Sequence, residues 1–247
     1  MQGLIETDFG GEALTLHPNR AVWWAKERTL FIADTHFGKA ASFRHAGIPV
    51  PETVTGADTD RLDALVRGFD AQRLVILGDF FHAPSGRVAH TEGRIESWRT
   101  ANARLHITLI RGNHDRSSGD PPASWAFECL DPGTRCGPFT LTHTPNEASG
   151  LDTPTLCGHV HPAVVLSEPS GPTARLACFF FHEHTLILPA FGRFTGLGTL
   201  RPRRSDRVFV IAGDEVLGIT PPPATPPLPR VPQKGYDVPM ISEAQPG

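Results

Sequence analysis

Three short apolar runs, each ending abruptly in a polar loop, constrain this chain most. Arg28–Ala33 ends at Asp34, Leu74–Leu77 ends at Gly78-Asp79, and Leu105–Ile110 ends just before Gly112-Asn113-His114-Asp115. Runs of this length suit buried strands. Between the first two, Leu62, Leu65, Val66 and Phe69 fall at helical spacing within Asp58–Phe69, with Asp and Arg on the opposite face. A second helix is expected over Thr91–Ala103, weakened by Gly93. Strand, helix, strand, helix, strand implies a largely parallel sheet.

After Gly137 the pattern changes. Phe139–His143, Ala174–Phe181, His184–Leu188 and Arg207–Ile211 read as strands joined without long helices, and Ala212-Gly-Asp-Glu215 reads as a hairpin turn before Val216. A second, antiparallel or mixed sheet follows. From Thr220 the chain holds nine of its 24 prolines and no apolar periodicity, so residues 1–219 are expected to form one domain and 220–247 a Pro-rich, disordered tail.

At 247 residues one well-buried core is affordable. A formal charge of −3 gives no global field for nucleic acid, so any such binding must rest on a local patch or on metals. Met1–Glu12 carries Glu6, Asp8 and Glu12 and lacks the basic-then-apolar start of a leader. No apolar stretch nears the roughly 18 residues of a membrane span. Cys129, Cys136, Cys157 and Cys178 are irregularly spaced and read as reduced thiols. A cytoplasmic protein without membrane partners is expected.

The loops after the strands are loaded with metal-binding side chains. In order come Asp34-Thr35-His36, Gly78-Asp79, Gly112-Asn113-His114-Asp115, His143 and Gly158-His159-Val160-His161. In α/β sheets the carboxyl ends of strands gather such loops, so residues from position 34 to position 161 can converge. Singly, each motif also fits an ordinary turn or cap; five in this order do not. Carboxylate, imidazole and amide donors without thiolate suit Mn, Fe or Zn. Asp79, at a strand end, is the natural bridge between two cations, which would activate a water and clamp phosphate oxygens.

These five motifs resemble the signature of the calcineurin-like metallophosphoesterases over about Leu30–Leu200. The resemblance implies an α/β (α+β) fold: a four-layer sandwich of two mixed β-sheets flanked by helices. It implies two divalent ions, Mn2+ foremost with Fe or Zn possible. Asp34, His36 and His161 would bind one, Asn113, His143 and His159 the other, and Asp79 would bridge. His114 would protonate the leaving oxygen, oriented by Asp115.

Asp34–Pro51 and Leu188–Gly196 further resemble the ligase-associated, DNA-damage-response metallophosphoesterases of the PdeM type, with Leu197 where those proteins usually carry a second glycine. That resemblance implies a phosphodiesterase or endonuclease acting on DNA in repair, beside an ATP-dependent DNA ligase and a helicase. The alternatives are a phosphoesterase for a small nucleotide, phosphoprotein or lipid pyrophosphate, and a non-catalytic scaffold of the same fold.

Beyond the ligands, Lys39 and Arg44 could bind substrate phosphates or be solvated charges. His82 could approach the site or simply start a helix. His45, His182 and His184 are read as packing or surface residues. Arg193, Arg201, Arg203, Arg204 and Arg207 form the one basic cluster in the sequence.

Overall fold

The computed structural model describes residues 3–50, 54–167 and 173–219. The expected tail 220–247, and Pro51 at the end of the Asp34–Pro51 stretch, lie outside the described residues.

Two hairpins open the chain: β1 (Ile5–Phe9), β2 (Glu12–His17) and β3 (Ala21–Trp24) pair antiparallel. Gly10 and Gly11 both have positive φ, 62° and 78°, and make the tight two-residue turn of the first hairpin. Then come β4 (Thr29–Ala33), α1 (Lys39–His45), α2 (Val54–Gly68), β5 (Arg73–Leu77), α3 (Ala89–Ala101), β6 (His106–Ile110), α4 (Asn113–Ser118) and β7 (Phe127–Leu130). β4 to β7 are parallel, and β3 joins β4 antiparallel, giving one seven-stranded mixed sheet in chain order. Every residue of β4 is buried, as expected of a strand covered on both faces.

The second sheet comprises β8 (Thr134–Cys136), β9 (Phe139–Leu141), β10 (Thr155–Cys157), β11 (Pro162–Ser167), β12 (Thr173–His182), β13 (Thr185–Ile187), β14 (Gly198–Thr199), β15 (Arg207–Ala212) and β16 (Glu215–Ile219). It is mixed: β10 runs parallel to β9 and β13, whereas β12 is antiparallel to β11, β13 and β15.

Packing follows the patterns that produced the elements. Leu62, Leu65 and Val66 of α2, with Ile95 and Trp98 of α3, cover one face of the first sheet against Leu30, Ile32, Leu74 and Ile76. The other face meets the second sheet through Leu14, Leu16, Phe31, Phe139, Phe179 and Phe181. Phe31 and Phe139 meet edge to face at 6.2 Å, and Phe9 and Phe181 at 5.6 Å. Each such side chain contributes about 1.5–3 kcal/mol on burial.

The expected sandwich of two mixed sheets flanked by helices is therefore present. On the outer face of the second sheet Cys178, Phe180, Val208 and Val210 form an apolar cluster on which Val160 and Leu200 pack. All four cysteines are unpaired.

Lys39–His45 is a helix, where the sequence pattern gives only a Gly- and Pro-punctuated loop. At the edge where the sheets meet, Phe191 N–H donates to Ala33 O at 2.7 Å and Gly192 N–H to Asp34 O at 3.2 Å. This stitch brings the segment after β13 against the end of β4.

Candidate metal centre

Five of the seven residues expected to bind metal stand in the left-handed region of backbone space. The φ values are 52° for Asp34, 45° for His36, 53° for Asp79, 69° for His159 and 51° for His161. Non-glycine residues take that conformation rarely, at a cost of order 1–3 kcal/mol each, and it concentrates at functional sites. Two motif glycines are explained by close approach. A Cβ on Gly78 would sit 2.0 Å from His143 Nδ1, and one on Gly112 would sit 2.3 Å from Asp79 Oδ1. No larger side chain leaves room for the ligand beside it.

The side chains form two groups of electron-pair donors. In one, His36 Nε2 and His161 Nε2 face each other at 3.2 Å, with Asp34 Oδ1 3.7 Å from His161 Nε2. His161 Nδ1–H donates to Gly196 O at 3.2 Å, which leaves Nε2 with its lone pair inward. Asp34 Oδ1 is buried without any hydrogen-bond partner. In the other, His143 Nε2 lies 3.0 Å from Asn113 Oδ1, 3.1 Å from His159 Nδ1 and 3.4 Å from Asp79 Oδ1. His143 Nδ1–H is committed to Leu77 O at 3.0 Å.

Acceptors aimed at acceptors repel unless something positive stands among them. Burial lowers a histidine's affinity for protons, yet the hydrogen bond to Asp79 and the charges of Asp34 and Asp79 outweigh it and push His143 up to about 9. Asp79 is held down at about 2: burial acts upward, but the hydrogen bond and charge of His143, the His114 N–H and His36 more than offset it. A proton on His143 thus takes the place a cation would fill. His36, buried beside other imidazoles, is pushed down to about 3. An all-N/O donor set with an orphaned buried carboxylate oxygen fits divalent cations.

Comparison with known proteins places the chain. Residues 27–176 match the calcineurin-like phosphoesterase family. The chain is a calcineurin-like phosphoesterase. Among solved structures it resembles the Pseudomonas putida nuclease MPE, at 39% identity and a TM-score of 0.76, over 87% of this chain and 100% of that one. The phosphoesterase YfcE from E. coli aligns at 17% identity and a TM-score of 0.40, over 75% of this chain and 88% of that one. The search of curated proteins returned no match.

Within this calcineurin-like phosphoesterase, Asp115 departs from its expected place. Its Oδ2 accepts from Asp79 N–H and Gly112 N–H, both at 2.8 Å, and its Oδ1 from Phe80 N–H at 2.9 Å. The carboxylate staples the loop after β5 to the loop after β6 and does not orient His114. Burial raises its pKa while those amides pull it down, and the net direction is upward. His114 is held instead by His82: its Nδ1–H donates to His82 O, and the two rings stack at 5.1 Å. His114 Nε2 is left 3.8 Å from Asp79 Oδ2 on the solvent side.

His82 itself meets His36, Nδ1 to Nδ1 at 3.4 Å, so it belongs to the site. Burial, then the charges of Lys39 and His114, lower it to about 4. Lys39 opens α1 half-buried near both histidines, whereas Arg44, in the last turn of α1, donates to Val50 O at 3.1 Å.

Two arginines escaped sequence reading. Arg20 donates to Ala190 O at 2.9 Å and Gly192 O at 3.2 Å. Arg61, paired with Asp58 at 3.0 Å, donates to Phe191 O and lies 4.1 Å over its ring. They pin the Leu188–Gly196 stretch whose Gly196 carbonyl aims His161. Of the basic cluster, Arg207 is engaged with Thr7 Oγ1 and Asp8 O, and Arg201, Arg203 and Arg204 are exposed. Among the described residues no helix is long and apolar enough to cross a membrane.

Proposed function

We propose that this chain is a dinuclear-metal phosphodiesterase, a cytoplasmic DNA endonuclease working in repair beside an ATP-dependent DNA ligase and a helicase. One observation carries the dinuclear reading: the two oxygens of Asp79 face different donor groups, Oδ1 toward His143 at 3.4 Å and Oδ2 toward His36 at 3.8 Å. Asp34, His36 and His161 would hold one cation, Asn113, His143 and His159 the second, and Asp79 both, with Mn2+ the expected metal. When bound, the pair supplies Lewis-acid polarisation of a phosphate ester and an activated water.

The chain's own residues do the rest. Asp115 fixes the two loops that carry Asp79 and Asn113. His114, anchored through Nδ1, offers Nε2–H to the departing alkoxide oxygen. Lys39 adds positive charge on the His36 side, with Arg44 further along α1 as a second phosphate contact. The likeness to a nuclease and the exposed Arg201, Arg203 and Arg204 support a nucleic-acid substrate.

The test loads the protein with Mn2+ and compares bis-p-nitrophenyl phosphate, p-nitrophenyl phosphate, and single- and double-stranded DNA. Diester preference and DNA cleavage, both lost in Asp79→Ala, are expected. Hydrolysis confined to the monoester, or intact DNA, would reject the reading.

A further inference from the structure

We propose that the groove running from His159 to His182 is a nucleoside subsite: it holds the sugar and base attached to the scissile phosphate on that side of the metals. This rests on the phosphodiesterase reading above and names what its substrate must carry.

The two flanks of the centre differ. On the His36 side, Phe43 packs edge to face on Phe194 at 5.4 Å, and the space among His36, Lys39, Gly192 and Phe194 is about 10 Å³. That is barely enough for one water. On the other side a cavity of about 350 Å³ opens directly from His159. It falls within the roughly 300–1,000 Å³ range of small-molecule sites. A substituent on the phosphate therefore has room on the His159 side.

The walls suit a base. Pro145, Val160, Ile187 and Leu200 make them mostly apolar, and His182 supplies a polar group. His182 is not a loose surface ring: its Nδ1 is 2.8 Å from Oδ1 of Asp206, a buried carboxylate whose Oδ2 accepts from Arg203 N–H at 2.6 Å. Nε2 is the ring nitrogen left to a ligand. Glu183 Oε1, 3.7 Å from that nitrogen, disfavours a phosphate there, so Nε2 meets a base edge. Phosphates fall instead to Arg201, Arg203 and Arg204, which follow Leu200 in the chain and are exposed. Beyond His182 a second hollow of about 240 Å³ continues toward Asn146 and His184, giving a strand a path onward.

The experiment uses full-chain, Mn2+-loaded protein and three diesters: the p-nitrophenyl esters of thymidine 5′- and 3′-monophosphate, and phenyl p-nitrophenyl phosphate. Wild type is expected to favour one thymidine ester over the phenyl ester in kcat/KM by about tenfold or more, the 5′ or 3′ form telling which side enters the groove. His182→Ala and Leu200→Asp should each cut that preference about tenfold, mainly through KM, with His182→Gln recovering part of it. Leu200→Ala serves if the aspartate variant melts early. A thymidine preference that survives in both groove variants, folded with wild-type melting curves, overturns the subsite.

If no diester is cleaved, the phosphodiesterase reading fails on its own. The subsite is then read by fluorescence anisotropy of a labelled thymidine dinucleotide. Weaker binding in the two variants supports it, and equal binding overturns it.

Discussion

The two sheets contribute to the centre in different ways. The first supplies the carboxylates, and it supplies them locked: Asp34, Asp79 and Asp115 are 0%, 2% and 2% exposed. Each accepts backbone N–H groups, Asp34 from His159, Asp79 from His114, and Asp115 from Gly112, Asp79 and Phe80. The second sheet supplies imidazoles from shorter connections, and only His143 among them is buried; His161 is half-buried and His159 exposed. Negative charge is thus fixed by the fold itself, and His159 and His161 stand on its more open side. Burying fixed carboxylates is costly unless they are paired, which makes the first-sheet half the part that needs a cation most.

The largest expected effect tests that asymmetry at its centre. Asp79→Ala should lose both cations and all turnover, read by metal analysis and diester hydrolysis. Two ions retained would count against a shared carboxylate. Next, His114→Ala should keep both metals and lose about 10²–10⁴-fold in kcat on esters with poor leaving groups, and much less with p-nitrophenolate. Equal loss on both esters would remove its role as acid.

Asp115→Ala should weaken metal binding about 10–100-fold, although its carboxylate is spent on backbone amides, because the loops of Asp79 and Asn113 lose their staple. Three buried N–H groups lose an acceptor, each worth about 1–3 kcal/mol, so the melting temperature should fall too. Asp115→Asn should recover part of both. By contrast His159→Ala, on the open second-sheet side, should weaken one site with little change in melting, and excess Mn2+ should restore activity. Comparable unfolding in the His159 and Asp115 variants would erase the distinction between the halves.

The smallest effect is a proton. His143 in the metal-free protein is raised to about 9, so below that pH it carries a proton that a cation must displace. Metal uptake at neutral pH should release about one proton from this residue, and affinity should climb about tenfold per pH unit up to pH 9. Calorimetry in buffers of different ionisation enthalpy measures it. Uptake without proton release at pH 7 would mean His143 is already neutral.

Much of this was legible in the sequence where chemistry demands a residue type at a strand end. The Asp-x-His, Gly-Asp, Gly-Asn-His-Asp, His and Gly-His-x-His positions converge because parallel strands deliver their loops to one edge. The glycines in front of Asp79 and Asn113 read as turn residues, and space beside His143 and Asp79 is their physical reason. Asp115 was misread because its partners are backbone amides, although an acid three residues after Gly112 is the pattern of a helix-start cap.

His82 acts on His114 through its own carbonyl, which no side-chain motif encodes. Arg20 and Arg61 reach carbonyls of residues 190–192 across the fold, a contact without local signature. The opening hairpins had a readable signal in Gly10-Gly11 and the alternation of Leu14 and Leu16. Lys39–His45 did not, being a helix of seven residues amid Gly and Pro.

The central claim is that one carboxylate sits between two cations. Anomalous diffraction from crystals grown with Mn2+ tests it directly. Two peaks roughly 3.5–4 Å apart are expected, one beside Asp34, His36 and His161 and one beside Asn113, His143 and His159, with Asp79 touching both. A single peak at saturating metal, or two peaks that leave Asp79 bound to only one, would contradict it.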